Sequence, residues 1–272
     1  MNMMKKLKIT ARNADKYKLY EEAVQNVDFE VDFYASMFKK YSKRQCNILR
    51  EDFSASAKIS QEWVKKNKNN ISYAIDLDKK ILDYAKNIAS QELNSDQFSR
   101  IKHIKANSQT FFTPNIDLIS ACNFSYWVFK NRIDLIKYFK NSHKCLKNDG
   151  ILILDAFGGY EAHQELEERT KYKDFTYVWD QHAFNPITND LKCFIHFEFK
   201  DKSSINKAFI YDWRLWSLPE IKECLLESGF KQVDIYMQGW DEEKDEETDN
   251  FYKTKTCDAD PGWLAYIIAT KK

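Results

Sequence analysis

The stretch Ile48-Leu-Arg-Glu-Asp-Phe-Ser-Ala-Ser-Ala57, continuing into Lys58-Ile-Ser-Gln-Glu-Trp-Val64, decides how the rest of the chain is read. An apolar run enters a turn of small residues, and the turn opens directly onto a helical pattern. That arrangement puts the unpaired amides of a helix N-terminus at the end of a strand, where they form a ready anion site. About twenty residues further on, Ala74-Ile-Asp-Leu-Asp78 closes a second apolar run, and an acid at that distance accepts both hydroxyls of a nucleoside ribose. Turn and acid together suggest a ligand that contains a nucleoside, although both features also serve as plain turn and cap chemistry.

Outward from this stretch, short apolar runs alternate with helical spacing. Cys46–Leu49 precedes a helix over Ala57–Lys66, Ile71–Ile75 precedes one over Lys79–Ser90, and Ile101–Lys105 follows. Ile116–Ala121 then precedes a helix over Arg132–Leu146, and Ile151–Asp155 closes the series. Strands separated by helices pair in parallel through right-handed crossovers, which predicts a doubly wound α/β sheet with helices on both faces. Such a sheet binds ligands at the carboxyl ends of its strands. Upstream, Ala14–Tyr41 reads as two helices broken near Asn26–Asp28.

Downstream the period changes to two over Tyr177–Ala183, Leu191–Lys200 and Ala208–Leu215, an antiparallel ribbon. A helix over Leu218–Glu227 stops at Gly229, and strands over Lys231–Met237 and Leu264–Thr270 bring the main sheet to seven. The acidic run Asp241–Asp249 reads as a solvated loop. The expected division of a single 272-residue domain is an N-terminal helical lid (1–44), a ligand-binding core (45–159), a ribbon inserted after the fifth strand (160–217) and a closing segment (218–272).

Composition narrows the partners. The 42 basic and 41 acidic residues balance to a formal charge of +1, which creates no field to attract a polyanion, so nucleic acid is not the expected partner. Six cysteines without a Cys-x-x-Cys pair give neither a zinc site nor a disulfide framework. No apolar run approaches the ~18 residues a membrane span needs. The basic start lacks an apolar segment and a cleavage site, so the expected compartment is the cytoplasm.

The string LREDFSASA with QEWV after it resembles the first motif of a subgroup of class I, Rossmann-like, S-adenosylmethionine-dependent methyltransferases whose usual form is LREDFCGTA. YEEAVQ, AIDLD, NFSYWVFKNR, GILILDAFGG, YVWDQHAFNPIT, AFIYDWRLWSLPEI and GWLAYIIA resemble the same subgroup in the same order, from about Tyr20 to Ala269. The resemblance implies S-adenosylmethionine as methyl donor, S-adenosylhomocysteine as product, and a nitrogen or oxygen of a small-molecule acceptor as target. It places Glu51 near the cofactor's amino group, Phe53, Ser54, Ala55 and Ala57 in the loop, Asp76 on the ribose and Leu77 beside the adenine. Asn107 and Ser108 would meet the base from the third strand, and Ala121, Cys122 and Asn123 would line the cofactor from the fourth. Tyr20, Gln25 and Arg50 are candidate donors at the methionine end.

The chain departs from the usual motif at Ala55, where the family has glycine, and at Asn107, where it has an acid. No glycine remains from Glu51 to Ala57, and alanine adopts positive φ poorly. This motivates an alternative, a cofactor-binding scaffold or regulatory subunit without activity. A nucleotide-dependent oxidoreductase on the same type of sheet is disfavoured because no GxGxxG is present.

For the acceptor, Tyr126, Tyr177, Trp179, Tyr211, Trp213 and Arg214 are the candidate contacts, and alternation puts Tyr177 and Trp179 on one face of their strand and Tyr211 and Trp213 on one face of theirs. The aromatic ribbon then forms either a pocket wall or the seam of a homodimer, and the pocket is preferred. Methyl transfer from a sulfonium needs positioning more than acid–base help. Asp155, Tyr126 and Asp212 are the polar groups from which a base would come, and His182 and His196 are read as structural.

Overall fold

The structure is a computed structural model that describes residues 8–241, 243 and 246–272. The basic start Met1–Leu7 and, within the acidic run, Glu242, Lys244 and Asp245 lie outside the described residues. Along the chain, α1 (Lys16–Val24) and α2 (Val27–Ser42) precede β1 (Ile48–Asp52), α3 (Lys58–Lys66), β2 (Ile71–Asp76), α4 (Lys79–Glu92), the short α5 (Ser95–Ser99) and β3 (Ile101–Lys105). There follow β4 (Ile116–Ala121), α6 (Arg132–Cys145) and β5 (Leu146–Gly158), then β6 (Leu166–Lys171), β7 (Phe175–Asn185), β8 (Asp190–Phe199) and β9 (Ser204–Arg214). The helix α7 (Leu218–Glu227) leads to β10 (Gln232–Asp241), β11 (Glu246–Thr254) and β12 (Trp263–Thr270).

These elements fall into two units, one of residues 27–161 and 216–272 and the other of residues 1–26 and 162–215. In the larger unit a single sheet runs in the order β11-β10-β12-β5-β4-β1-β2-β3. From β5 to β3 the strands pair in parallel, and β12 enters antiparallel against both β5 and β10. The order reverses at β1, which has β2 on one side and β4 on the other. That switch point is where an open α/β sheet leaves a crevice at its carboxyl edge.

Local signals start the helices. Asp78 accepts from the Lys80 amide to cap α4, Asn131 caps α6 from the Asp134 amide, and Ser217 with Glu220 forms a capping box on α7. The helix α2 presents Val31, Tyr34 and Phe38, three and four residues apart, to a core that includes Leu49, Ile151, Ile153, Tyr236 and Tyr266.

Among the described residues the sheet has eight strands rather than seven. The added strand is β11, which pairs antiparallel with β10 and begins within the run read as a solvated loop. Its apolar anchor is Phe251, whose ring lies 5.7 Å from Phe29, 5.8 Å from Phe33 and 4.7 Å from Tyr266. Charge is no bar to this strand because it lies at an edge of the sheet, where charged side chains are ordinary.

The smaller unit is a four-stranded antiparallel sheet in the order β6-β7-β8-β9. Helix α1 packs Leu19, Tyr20, Ala23 and Val24 with Phe175, Ile195, Phe197, Phe199 and Ala208. The ribbon therefore carries its own core. Two expectations change: the region 1–44 is split, with α1 in the ribbon unit and α2 in the larger one, and β6 adds a fourth strand that its polar sequence Leu-Glu-Glu-Arg-Thr-Lys did not reveal.

Candidate active site

The turn after β1 keeps the path that glycines would take. Phe53, Ala55 and Ala57 sit in left-handed backbone at φ 56°, 44° and 55°, each at a cost of order 1–2 kcal/mol for a side-chain-bearing residue. The turn is pinned from within. The Ser54 amide donates to the Ile75 carbonyl at 2.9 Å, the Ala57 amide to the Ser54 carbonyl at 2.6 Å, and the Ala55 amide to Asp76 Oδ2 at 2.9 Å. This corrects the expected anion site, because three of the turn's amides are already satisfied. The Ser54 hydroxyl, by contrast, is buried without a hydrogen-bond partner.

Asp76 ends β2, half-buried, and its second oxygen accepts from the Asp78 amide at 2.9 Å. Asp78, not Asp76, caps α4. The Asp76 carboxylate thus stands fixed at the crevice edge with lone pairs to spare, and beside it Leu77 is 65% exposed, an apolar surface where the adenine was expected. Asn107 is exposed and its side chain accepts from the Gln109 amide at 2.9 Å.

Glu51 is buried on the α3 side of β1, where Oε2 accepts from both the amide and the hydroxyl of Ser60. Burial pushes its carboxyl up to about 7 against the hydrogen bonds from Ser60. Arg50 and Asp52 point to the opposite face, as strand alternation requires. The Arg50 guanidinium is fully buried, donating to Asp52 at 2.8 Å, to the Ser108 carbonyl at 3.0 Å and to the Phe111 carbonyl at 3.0 Å. It ties β1 to the segment after β3, which leaves it a structural occupation in place of the expected ligand carboxylate. Ser108 is buried in the same knot, where its hydroxyl bonds Asp52.

At the carboxyl end of β4, Ala121 is buried and Cys122 and Asn123 are half-buried. Asp155 on β5 accepts from the Asn123 amide at 2.6 Å and the Phe124 amide at 2.9 Å, holding two left-handed residues in place. Burial raises its carboxyl to about 7. Tyr126 is fully buried and donates to the Asp155 carbonyl at 2.8 Å, so as an acceptor contact or base it is out of reach. Asp212 is exposed on β9.

In the ribbon unit, β8 separates β7 from β9, so the two aromatic strands are not direct partners. Trp179 still lies 6.0 Å from Tyr211, and Tyr211 stacks on Trp213 at 4.2 Å. Trp213 is buried, while Tyr177, Trp179, Tyr211 and Arg214 are half-buried. Tyr20 packs on Phe209 at 4.9 Å and bonds Tyr211, which places it in this unit's core, and Gln25 Oε1 is buried without a hydrogen-bond partner. His196 is satisfied at both nitrogens, by Asp180 at 3.3 Å and the Lys207 amide at 3.2 Å, a structural residue as expected.

Two residues escaped the sequence reading. Glu30 is a buried acid on α2, and Tyr34 one turn later reaches both Glu30 Oε2 at 3.4 Å and Cys122 Sγ at 3.0 Å. The signal was present: Val27, Glu30, Val31 and Tyr34 recur at helical spacing, so the acid lies on the apolar stripe.

No protein-family profile matches the chain. Over 160 residues it is 22% identical to the protein named "Putative methyltransferase YqeM" of Bacillus subtilis (strain 168), a match that covers 58% of this chain and 63% of that one. Among solved structures it is similar to an S-adenosylmethionine-dependent methyltransferase from Clostridium acetobutylicum ATCC 824, with a TM-score of 0.69 and 16% identity over 94% of this chain and 98% of that one. CalS10, the amino pentose methyltransferase of Micromonospora echinaspora solved with S-adenosylmethionine, superposes at 0.67 with 9% identity, covering 95% of this chain and 98% of that one. The sugar N-methyltransferase KedS8 of Streptoalloteichus sp ATCC 53650 gives 0.62 and 10%, with 95% and 93% covered. The fold of this chain is thus the Rossmann-like fold seen in S-adenosylmethionine-dependent methyltransferases.

Proposed function

We propose that the chain binds S-adenosylmethionine at the carboxyl ends of β1, β2 and β4 and transfers its methyl group to a nitrogen of a small-molecule amine. The observation that carries this reading is the pairing of an internally satisfied turn with carboxylates. The amides of Ser54, Ala55 and Ala57 are spent, and Glu51, Asp76 and Asp155 are acidic. Such a crevice offers a phosphate none of these three amides and suits a nucleoside with a cationic tail. The residues fit that cofactor: Asp76 for the ribose hydroxyls, Leu77 for the adenine, the unpartnered Ser54 hydroxyl and the Phe53–Ala57 turn for its polar middle, Glu51 for its ammonium, and Ala121, Cys122 and Asn123 along its flank.

When bound, the cofactor supplies an activated methyl on a sulfonium whose departure leaves a neutral thioether. The protein's own contribution is to hold and orient. A neutral amine nitrogen that takes the methyl leaves as an ammonium, so the step asks no proton acceptor of Asp155, tied to two backbone amides, or of the buried Tyr126. Calorimetry with S-adenosylhomocysteine and with NAD tests the reading, followed by transfer of radiolabelled methyl from S-adenosylmethionine into a metabolite extract. Micromolar binding of S-adenosylhomocysteine and none of NAD is expected. Preference for NAD would overturn it.

A further inference from the structure

We propose that Ser60, backed by Ser72, is a positioning residue that ties one oxygen of the Glu51 carboxylate to the protein and leaves the other, Oε1, for the cofactor's ammonium. The inference rests on the methyltransferase reading and extends it to side chains of α3 and β2 that the cofactor does not touch. It starts from a missing cap. Helix α3 opens on Ala57, which makes no side-chain hydrogen bond to the first turn. A carboxylate from β1 does that work: Glu51 Oε2 accepts from the amide of Ser60, the third residue of the helix, at 2.9 Å and from its hydroxyl. That amide would otherwise be an orphan of the helix start. Ser60 and Ser72 are fully buried and Glu51 is 7% exposed.

The hydroxyl protons have one consistent order. An ionised carboxylate only accepts, so Ser60 spends its proton on Glu51, and the 2.8 Å bond between the Ser60 and Ser72 hydroxyls is then donated by Ser72. A hydroxyl that accepts is the stronger donor. Both donors act on Oε2, and Oε1 accepts no hydrogen bond among the described residues. A proton on Oε2 would face two donor hydrogens. A proton taken up by Glu51 therefore goes to Oε1, where it and the ammonium exclude each other.

The charges around Glu51 are acidic. Burial pushes its carboxyl up to about 7, Asp76 on β2 and Asp52 on β1 push the same way, and the two bonds from Ser60 hold it down. The Cys122 thiol at the end of β4 is acted on by Asp155 of β5 and Glu30 of α2 as well as by Glu51, and burial raises Asp155 itself to about 7. No basic side chain belongs to this set, so the charge that meets the ammonium depends on Ser60.

The test titrates Glu51 in the ligand-free chain by carboxyl carbon-13 NMR, with Glu51→Gln to assign its signal, and measures the affinity for S-adenosylhomocysteine at pH 7 and pH 8.5. Ser60→Ala removes a hydrogen bond to a charged group, so the Glu51 midpoint should rise by about one unit while that of Asp155 stays in place. The ionised fraction, and with it the affinity, then falls about fivefold at pH 7 and by less than about twofold at pH 8.5. 5′-Methylthioadenosine, which keeps the nucleoside and lacks the ammonium, should bind Ser60→Ala and the wild type alike. Ser60→Thr, which keeps the hydroxyl, should restore the wild-type midpoint, and Ser72→Ala should raise it by a smaller step. Thermal unfolding establishes that each variant is folded. An unmoved Glu51 midpoint in both Ser60→Ala and Ser72→Ala overturns the proposal. So does an affinity loss that is equal at the two pH values or shared by 5′-methylthioadenosine, the mark of a merely structural role. If the wild type binds neither ligand while the midpoint still shifts, it is the cofactor reading that fails, and the ammonium contact falls with it.

Discussion

Replacing Ala55 by glycine should stabilise this protein, against the usual direction of such a change. At φ 44° the alanine is in left-handed backbone, which costs ~1–2 kcal/mol for a residue with a Cβ. Glycine removes that cost and adds ~0.5–1 kcal/mol of chain entropy to be lost on folding. The side chain is only half-buried and the amide keeps its bond to Asp76, so little else changes. The net gain is about 0.5–1 kcal/mol, a rise in Tm of about 1–4 °C for a chain of this size. Differential scanning calorimetry measures it, with Ala35→Gly as the control. Ala35 is exposed within α2, and there glycine should cost ~1 kcal/mol and lower Tm. Affinity for S-adenosylhomocysteine should be equal or tighter in Ala55→Gly. A fall in Tm like that of Ala35→Gly would refute the reasoning, because it would mean the turn does not hold a left-handed alanine.

Asp76→Ala removes both the proposed ribose acceptor and the anchor of the Ala55 and Asp78 amides; calorimetry should show S-adenosylhomocysteine binding weakened by about 1.5–3 kcal/mol. Arg50→Ala leaves Asp52 buried without its counter-charge, so urea unfolding should show a loss of ~3–5 kcal/mol, whereas a mere ligand contact would leave the midpoint unmoved. Glu51 and Asp155 are both raised to about 7, so the folded ligand-free chain holds protons the unfolded chain has shed above ~4–4.5. Stability should therefore fall as pH rises from about 4.5 to 7 and level off above, at up to ~1.4 kcal/mol per pH unit for each group; a urea midpoint that climbs through this window would contradict it. For the same reason, binding of S-adenosylmethionine at pH 6.5 should release protons, seen as a buffer-dependent calorimetric enthalpy that vanishes at pH 8.5.

The parallel half of the sheet was legible because its strands are apolar runs bounded by turns and helical spacing. The quoted stretch marked the strand at which the sheet order reverses, yet two of its features were misjudged for the same reason. Reading Arg50 as a ligand donor and the turn amides as an anion site treats polar groups near a strand end as available. Alternation already puts Arg50 and Asp52 on one face, a pairing the sequence offered. The Ser54 and Ala55 amides, in contrast, are satisfied by Ile75 and Asp76 from a neighbouring strand, and no local pattern announces a partner twenty-odd residues away. β6 and β11 were missed because their residues are mostly charged and polar, and an edge strand needs only one apolar anchor to form, as Phe251 does for β11. Glu30 was hidden in plain composition, as one acid within an amphipathic helix.

The position of β12 sets how the larger unit must assemble. Residues 263–270 lie between β5 and β10, so the strand made after both of its neighbours is the one that joins them. Until it is delivered, β5 and β10 are open edges, and β5 is an almost wholly apolar one, Ile-Leu-Ile-Leu over 151–154. Pairings this far apart in the chain are slow to find, and an exposed apolar edge invites pairing with another molecule meanwhile. A ribosome that stalls before Trp263 thus releases a chain prone to aggregate rather than a smaller working sheet, and a chaperone that shields β5 would raise the yield of folded protein.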